Sequence, residues 1–300
     1  MKCRYRIVVS IDGSGIRGII PLRVLSKIEQ MVSEVDSSID LASSVDLYAG
    51  SSTGSIIGGA LMMQDYNGKT IHSPSSILDF FTEKGAQLFR DKTNNDVINS
   101  SVPFDNLLES FCGSINLENL KKHFLFVSYD LNSESQFLFT DVLTRFRHLS
   151  LSKMMQACSA LPGFFSPVKL GNSLLMDGSI AAKNPSTLAY NYARQLYPND
   201  PIIFISLGTG KRKENQFDII EKEIMLTDDD LYFSAKKEKN LLYFRFQPTI
   251  IEASYDLADS SQKNISRIIS DVDKYINSHI PKFERLLRLV KTKVDARYDF

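Results

Sequence analysis

A serine placed between two glycines is the first feature of this sequence that suggests chemistry. The stretch YAGSSTGSIIGG, residues 48–59, sets Gly50, Ser52 and Gly54 at the spacing Gly-x-Ser-x-Gly, after one apolar run and before another. A serine on a sharp turn from a strand into a helix exposes its hydroxyl as a nucleophile, and such a turn requires small neighbours. Ser52 is therefore a candidate nucleophile that needs partners elsewhere in the chain.

A glycine-rich turn near the start of the chain is the first candidate partner. The stretch IDGSGIRGIIPLRVL follows a predicted strand and leads into a helix predicted to begin near Arg17. Its glycines are Gly13, Gly15 and Gly18. Backbone amides at a helix N-terminus hold either a ligand phosphate or the oxyanion of an acyl-transfer intermediate. The sequence of this turn does not distinguish phosphate binding from oxyanion binding.

The same turn also matches the dinucleotide-binding pattern Gly-x-Gly-x-x-Gly. That pattern requires an acidic residue at the end of a second strand about 20 residues later. Asp36 and Asp40 have the right distance but lie in the polar stretch SEVDSSIDLASS. We therefore favour the oxyanion use. The stretch GSSTGSIIG also lacks the Gly-Lys-Ser/Thr ending of a phosphate-binding loop.

An aspartate late in the chain is the second candidate partner. In LLMDGSIAAKNP, Asp177 ends an apolar run and precedes Gly178, where a turn would expose its carboxylate. Taken alone, the same residue is equally suited to capping the turn that follows it.

The elements around these residues alternate between strand and helix. Short β-branched or aromatic runs (RIVVSI, VDLYAG, HFLFVSYDL, PIIFISLGTG) are separated by helical patterns such as IIPLRVLSKIEQMV. This order predicts an α/β fold with a central, mainly parallel sheet. Residues 73–122 are predicted to form framework helices or a lid, and the charged residues 211–240 a mobile surface excursion.

The last part of the chain predicts two packing helices. Apolar residues recur at helical spacing from Ile265 to Ile276, and Pro281 is predicted to separate them from a second run that ends at Val290. Cations surround the second run, which makes membrane binding an alternative to packing. They are Lys282, Arg285, Arg288, Lys291 and Lys293.

Composition restricts the classes of function. Lys plus Arg and Asp plus Glu both number 35, so no bulk charge directs the chain to nucleic acid. The three widely spaced cysteines argue against a disulfide framework and favour a cytoplasmic protein. The N-terminus does not resemble a Sec signal peptide, and no apolar run has the ~18 residues of a membrane span. We expect any action on membranes to be peripheral.

Three motifs occur together and in order, and in this the chain resembles the patatin-like phospholipases. They are DGSGIRG at residues 12–18, GSSTG at residues 50–54 and DGS at residues 177–179. ACSALPGFFSPV and ISLGTG extend the resemblance over about residues 5–210. It implies a three-layer α/β fold in a single domain, 1–300, on whose core a C-terminal strand and helices of about 241–295 pack. The resemblance leaves open whether the protein is translocated into a host cell.

The resemblance also implies a lipid acyl hydrolase of the phospholipase A type that uses a Ser-Asp dyad. Ser52 would be the nucleophile, at an elbow formed by Gly50 and Gly54, and Asp177 its only side-chain partner. Amides of a turn braced by Arg17 would bind the oxyanion, those of Gly13, Ser14 and Gly15. Acyl lipids are the implied substrates, and neither a metal nor an organic cofactor is implied.

Two residues depart from the family pattern. Ser14 replaces the second glycine of the first motif, and Ser179 replaces the last small residue of the third. If the position of Ser14 requires a positive φ, its side chain costs on the order of 1 kcal/mol of strain and shifts an oxyanion donor.

Three other functions stay open at this stage. A Ser-His-Asp hydrolase needs a histidine after the acid, and only His279 follows Asp177. We expect His279 to be a surface or capping residue. An acyltransferase would pass the same acyl-enzyme to an alcohol or thiol, and a non-catalytic membrane-binding module would have a degraded site. Phe164 and Phe165 are predicted to line an acyl channel or to pack in the core.

Overall fold

The structure is a computed structural model that describes residues 5–86, 102–212 and 219–298. Its described part contains one sheet of eight strands. The strands are β1 (Arg6–Ile11), β2 (Leu47–Ser51), β3 (His123–Asp130), β4 (Ser135–Thr140), β5 (Val168–Leu170), β6 (Ser173–Asp177), β7 (Ile202–Leu207) and β8 (Leu241–Phe246). Their order is β5-β6-β3-β2-β1-β7-β8, with β4 paired to β3.

The centre of the sheet is parallel. Strands β3, β2, β1, β7 and β8 pair in parallel, whereas β4 and β6 pair antiparallel with β3, and β5 pairs antiparallel with β6. Parallel neighbours need crossover connections, which the intervening helices supply. The predicted α/β class with a mainly parallel sheet is confirmed.

Ten α-helices are described. They are α1 (Ile19–Val35), α2 (Leu41–Ser44), α3 (Thr53–Leu61), α4 (Pro74–Phe80), α5 (Val102–Cys112), α6 (Leu151–Ser159), α7 (Ser186–Leu196), α8 (Ile219–Lys237), α9 (Gln262–Ser278) and α10 (Ile280–Tyr298). Short 3-10 turns cover Gly15–Gly18 and Gly178–Ile180, and a π-helical turn covers Phe81–Gly85.

Helices cover both faces of the sheet because consecutive apolar residues of its strands point to opposite faces. In β1, Ile7, Val9 and Ile11 join a cluster with residues of α1, α3, α6, α9 and α10, whereas Val8 joins a cluster with α7 and Leu231 of α8. Side chains of a strand point alternately to its two faces, so this division is what a doubly covered sheet requires. The architecture is a three-layer α/β fold.

The charged stretch 211–240 differs from its prediction as a surface excursion. Most of it forms the 19-residue helix α8, in which Leu231 is buried and Asp228 bonds to Arg245 of β8. Leu231 and Asp228 connect this helix to the rest of the fold although many of its other residues are charged, and composition alone does not show this. Residues 213–218 lie outside the described part.

The two C-terminal helices form as predicted, but their boundary is earlier. Helix α9 ends at Ser278, His279 separates the helices, and Pro281 lies in the first turn of α10. Proline is tolerated there because the first N–H groups of a helix have no intrahelical acceptor. Phe283, Leu286 and Val290 of α10 join the main core cluster.

Candidate active site

Strand register brings the predicted nucleophile and acid together. Ser51, the last residue of β2, pairs with Val127, and Asp177, the last residue of β6, pairs with the adjacent Ser128. Strand β3 thus aligns two segments that are 125 residues apart in the chain. The Oγ of Ser52 donates a hydrogen bond of 2.5 Å to Oδ2 of Asp177.

Ser52 occupies an unusual backbone conformation. Its φ is 49° and its ψ is −124°, and it precedes α3 directly. Conformations of this kind cost a non-glycine residue about 1–3 kcal/mol and persist where the surrounding structure holds them. The N-terminus of α3 also supplies a positive partial charge beside the Ser52 hydroxyl. This is the geometry of a serine presented on a strand-to-helix elbow.

The two elbow glycines allow β1, β2 and α3 to approach closely. A Cβ on Gly54 would lie 2.2 Å from the carbonyl oxygen of Ile11 at the end of β1. A Cβ on Gly50 would lie 2.3 Å from the backbone of Gly54. Neither position has room for a side chain, so packing requires both glycines.

Asp177 is fully buried and held by more than one donor. Its Oδ1 accepts hydrogen bonds from the backbone amide of Ser179 at 2.8 Å and from the Ser179 hydroxyl at 2.6 Å. Burial raises the pKa of Asp177, and the hydrogen bonds from Ser179 and Ser52 oppose that rise. Sequence analysis treated Ser179 only as a departure from the family pattern and missed this contact.

The glycine-rich turn has two amides left for a ligand. The Gly13 amide, which was expected to bind an oxyanion, donates to the carbonyl of Lys183 at 3.1 Å in this structure. The amides of Ser14 and Gly15 have no acceptor among the described residues. Gly15 lines the cavity that also contains Ser52 and Asp177.

The serine in the glycine-rich turn is not strained. Ser14 has a φ of −174°, an extended backbone open to any residue, and the positive φ of 50° belongs to Gly15. The anticipated strain at Ser14 is therefore absent. Its hydroxyl instead accepts a hydrogen bond of 2.5 Å from Nη2 of Arg17. Arg17 thus contacts the turn in the way expected of a bracing residue.

Thr53 links the elbow to the glycine-rich turn. Its hydroxyl donates to the carbonyl oxygen of Gly15 at 3.0 Å. Its place in the sequence suggests only a role at the start of the helix. The contact crosses 38 residues of sequence, and no local signal indicates it.

The four histidines lie away from the serine. None of their described hydrogen bonds or ring contacts reaches Ser52 or Asp177. His72 stacks on Phe111, His123 pairs with Asp141, His148 pairs with Glu118, and His279 contacts the Tyr275 carbonyl. His279 is exposed just after α9, as predicted. The geometry therefore offers no histidine for a Ser-His-Asp triad.

The dinucleotide alternative has no support from the placement of its acids. Asp36 bonds to Ser38, and Asp40 bonds to Ser43 and Thr70, in a loop between α1 and β2. In the ISLGTG stretch, the first glycine amide is not available to a ligand in the site, because Gly208 donates to the Phe246 carbonyl.

An apolar cavity of about 50 Å³ opens beside the serine. Its polar wall contains Ser52, Thr53, Ser159 and Asp177. Its other lining residues are Gly15, Ile56, Phe80, Phe81, Gly85, Phe104, Leu107, Leu108, Leu161 and Phe165. Phe165 stacks on Phe104 with 4.2 Å between ring centres, so the predicted lining applies to Phe165, whereas Phe164 is not among the lining residues. The middle of segment 73–122, residues 87–101, lies outside the described part.

Comparison with known families decides the relationship. The sequence profile of the family described as patatin-like phospholipase matches residues 9–190. The chain belongs to the patatin-like phospholipase family. The resemblance inferred from the three motifs is confirmed.

Curated patatin-like relatives match over different parts of their length. Probable inactive patatin-3-Kuras 1 of Solanum tuberosum is 26% identical over 239 residues, 69% of this chain and 63% of that protein. Patatin-like protein 1 of Arabidopsis thaliana is 24% identical over 70% of this chain and 60% of its own length. Calcium-independent phospholipase A2-gamma of Homo sapiens is 24% identical over 97% of this chain and 40% of its own length.

The chain thus spans about two fifths to three fifths of the length of these relatives. Among the helices of the described part, none combines the length and apolar character needed to cross a bilayer.

Proposed function

We propose that the protein is a phospholipase A type lipid acyl hydrolase that works through a Ser52–Asp177 dyad and an acyl-enzyme. The observation that supports this most directly is the 2.5 Å hydrogen bond from Ser52 to Asp177 at the wall of an apolar cavity. A nucleophile needs a base within hydrogen-bond reach, and an acyl lipid needs an apolar site for its chain.

The first half of the reaction forms the acyl-enzyme. Asp177 Oδ2 accepts the Ser52 proton while Oγ attacks the ester carbonyl carbon, whose oxygen becomes an oxyanion. The amides of Ser14 and Gly15 donate to that oxyanion. The carbonyl re-forms as the bond to the alcohol oxygen breaks, and the proton on Asp177 passes to the leaving alkoxide. Lysolipid leaves, and the acyl group stays on Ser52.

The second half releases the fatty acid. A water molecule attacks the acyl carbonyl and gives a proton to Asp177, and the oxyanion returns to the same amides. Collapse of the intermediate breaks the bond to Ser52 Oγ, which regains its proton from Asp177. The dyad ends in its starting protonation state.

The environment of Asp177 suits this role. Because burial raises the pKa of Asp177, its carboxylate is a stronger base than an exposed aspartate. The donors on Oδ1 come from Ser179, which leaves Oδ2 for Ser52. One oxygen orients the carboxylate, and the other is aimed at the nucleophile.

We further propose that the protein meets its lipids at a membrane surface and that residues 1–300 act as one domain. The apolar wall of the cavity suits a single acyl chain taken from a bilayer. Core residues from β1 to α10 belong to one hydrophobic cluster, which supports a single catalytic unit.

Lipid products from the wild type and Ser52→Ala test the proposal. Both proteins are incubated with a mixed lipid extract, and products are identified by mass spectrometry. We expect free fatty acid and lysolipid from the wild type alone. New acylated acceptors instead of fatty acid would identify an acyltransferase. No difference between the two proteins, with no labelling of wild type by a fluorophosphonate probe, would indicate a non-catalytic module.

A further inference from the structure

The glycine-rich turn contacts a segment far outside the residues that match the family. The amide of Ile16 donates to the carbonyl oxygen of Leu257 at 3.0 Å. Gly15 packs on the same residue so closely that a Cβ there would lie 2.5 Å from the Leu257 oxygen. The Arg17 guanidinium lies 4.1 Å from the centre of the Tyr255 ring. Three consecutive residues of the turn thus touch residues 255–257.

That segment, residues 250–261, is held by α9, and we call it the brace. Asp271 Oδ2 accepts hydrogen bonds from three consecutive brace amides, those of residues 251–253, at 2.8, 2.8 and 3.1 Å. Asn264 accepts from the Ser254 amide and donates to the Asp259 carbonyl, both at 2.7 Å. Asp271 and Asn264 are 2% and 3% exposed, so water competes little with these bonds.

The brace is also tied to the sheet. The Tyr255 hydroxyl donates to the Gly210 carbonyl at 2.9 Å, just beyond β7. Tyr255 also lies 4.4 Å from the Arg212 guanidinium, so its ring is placed between two cations. A cation over an aromatic face contributes about 0.5–2 kcal/mol, more when it is desolvated. Tyr255 therefore connects α9, the sheet and the turn.

We propose that the brace positions the oxyanion donors, and that Tyr255 and Asn264 are positioning residues for the hydrolysis proposed above. The amides of Ser14 and Gly15 lie directly before Ile16 and Arg17, the two residues that the brace holds. Oxyanion stabilisation depends on donors fixed close to their productive positions before reaction. A turn released from the brace would bind substrate normally and stabilise the transition state less well.

Replacing Tyr255 tests this proposal in the full chain. Tyr255→Leu removes the ring and the hydroxyl, whereas Tyr255→Phe keeps the ring over Arg17. We expect Tyr255→Leu to lower kcat for a soluble p-nitrophenyl ester by about tenfold or more with KM changed less than about twofold. Tyr255→Phe should keep most of the kcat that Tyr255→Leu loses.

Tyr197→Leu is the matched control. Tyr197 lies 4.3 Å from the Arg6 guanidinium at the opposite end of β1, so this change removes a similar pair far from the turn. If Tyr197→Leu lost as much kcat as Tyr255→Leu, the loss would reflect lower stability of the whole protein. That result would overturn the proposal. If Tyr255→Leu fails to fold, Asn264→Ala replaces it, because it removes both side-chain hydrogen bonds to the brace without placing a charge there.

A second readout separates this proposal from the proposed function. Hydrogen exchange at the Ile16 amide is measured in a Ser52→Ala background, where hydrolysis plays no part. We expect Tyr255→Leu to speed that exchange and Tyr197→Leu to leave it unchanged. Unchanged hydrogen exchange at the Ile16 amide in Tyr255→Leu would overturn the proposal that the brace holds the turn. A wild type that hydrolyses no ester contradicts the proposed function alone, and the exchange result still decides whether the brace holds the turn.

Discussion

At the scale of single residues, the proposed dyad makes Asp177 the group that accepts the Ser52 proton. Asp177→Asn keeps the size of the side chain and removes the base, so turnover should fall on the order of 10³-fold or more, as in Ser52→Ala. His279→Asn should keep at least about a tenth of kcat, a change under roughly 1.4 kcal/mol. Steady-state kinetics on one ester substrate measure both variants.

The folded state of Asp177→Asn has to be verified together with its activity. Because burial raises the pKa of Asp177, folded protein keeps a proton at pH values where the unfolded chain has lost it. The stability of the wild type therefore falls as pH rises through that range. The stability of the Asn variant does not change in this way, because asparagine does not titrate. Urea unfolding should show that the stability of the variant increases relative to that of the wild type as pH rises above the ordinary pKa of aspartate. A folded His279→Asn protein as inactive as Ser52→Ala would contradict the dyad.

Ser179 sets the pH at which the dyad works. Its amide and hydroxyl stabilise ionised Asp177, so Ser179→Ala removes one of two donors and should raise the pKa of Asp177 further. The reaction needs the ionised carboxylate, which is present above that pKa. The acidic limb of the profile of kcat/KM against pH should therefore move to higher pH. Superimposable limbs for Ser179→Ala and wild type would show that the hydroxyl does not tune the base.

At the scale of elements, the contact between α3 and β1 depends on Gly54. Gly54→Ala places a Cβ where the Ile11 carbonyl oxygen already lies at 2.2 Å, and both groups belong to backbone that cannot rotate away. We expect a loss of about 1–3 kcal/mol in the free energy of unfolding, the usual cost of overpacking a core. Urea denaturation measures that loss.

Gly85→Ala is the matched control for Gly54. Its Cβ would meet no atom closer than 3.6 Å, and its φ lies outside the left-handed region. Alanine in a helical turn is more favourable than glycine, so stability should stay the same or rise slightly. An equal loss in both variants would show that the close approach of α3 to β1 is not what makes Gly54 necessary.

At the scale of the whole molecule, Arg245 joins the two ends of the chain. Its guanidinium donates to both carboxylate oxygens of Asp12, at 3.0 and 2.7 Å, and lies 2.9 Å from Asp228 of α8. Arg245→Met leaves two carboxylates without their cation. Breaking a buried pair in this way costs about 3–5 kcal/mol.

The loss in Arg245→Met should grow with pH. The positive charge of Arg245 lowers the pKa of Asp228, which burial raises, so the variant raises that pKa further. Stability then falls as pH rises through the raised value. Arg23→Met breaks a pair with Asp273 whose side chains are 40% and 39% exposed, and it should cost no more than about 1 kcal/mol. Equal losses in both variants, measured by urea unfolding, would contradict this role for Arg245.

Much of the fold and of the candidate site was predictable because its signals are local. The consecutive apolar residues of RIVVSI reflect a strand covered on both faces, and the structure places Val8 on one face and Ile7 and Val9 on the other. The glycines around Ser52 mark a sharp turn in the sequence, although the contact that requires Gly54 is with Ile11 of β1. Helix α8 was missed because its docking depends on two side chains among many charged ones.

The sequence by itself determined the α/β class, through local patterns, and the family, through three motifs. That resemblance also named Ser52 and Asp177 as the candidate nucleophile and acid. Only the tertiary structure decided that Gly13 bonds to Lys183, that Ser179 bonds to Asp177 and that residues 250–261 contact the glycine-rich turn. The Gly13 and brace contacts join residues more than 150 positions apart. Strand register and helix packing create such neighbours, and no periodicity in a single sequence records which amide meets which carbonyl.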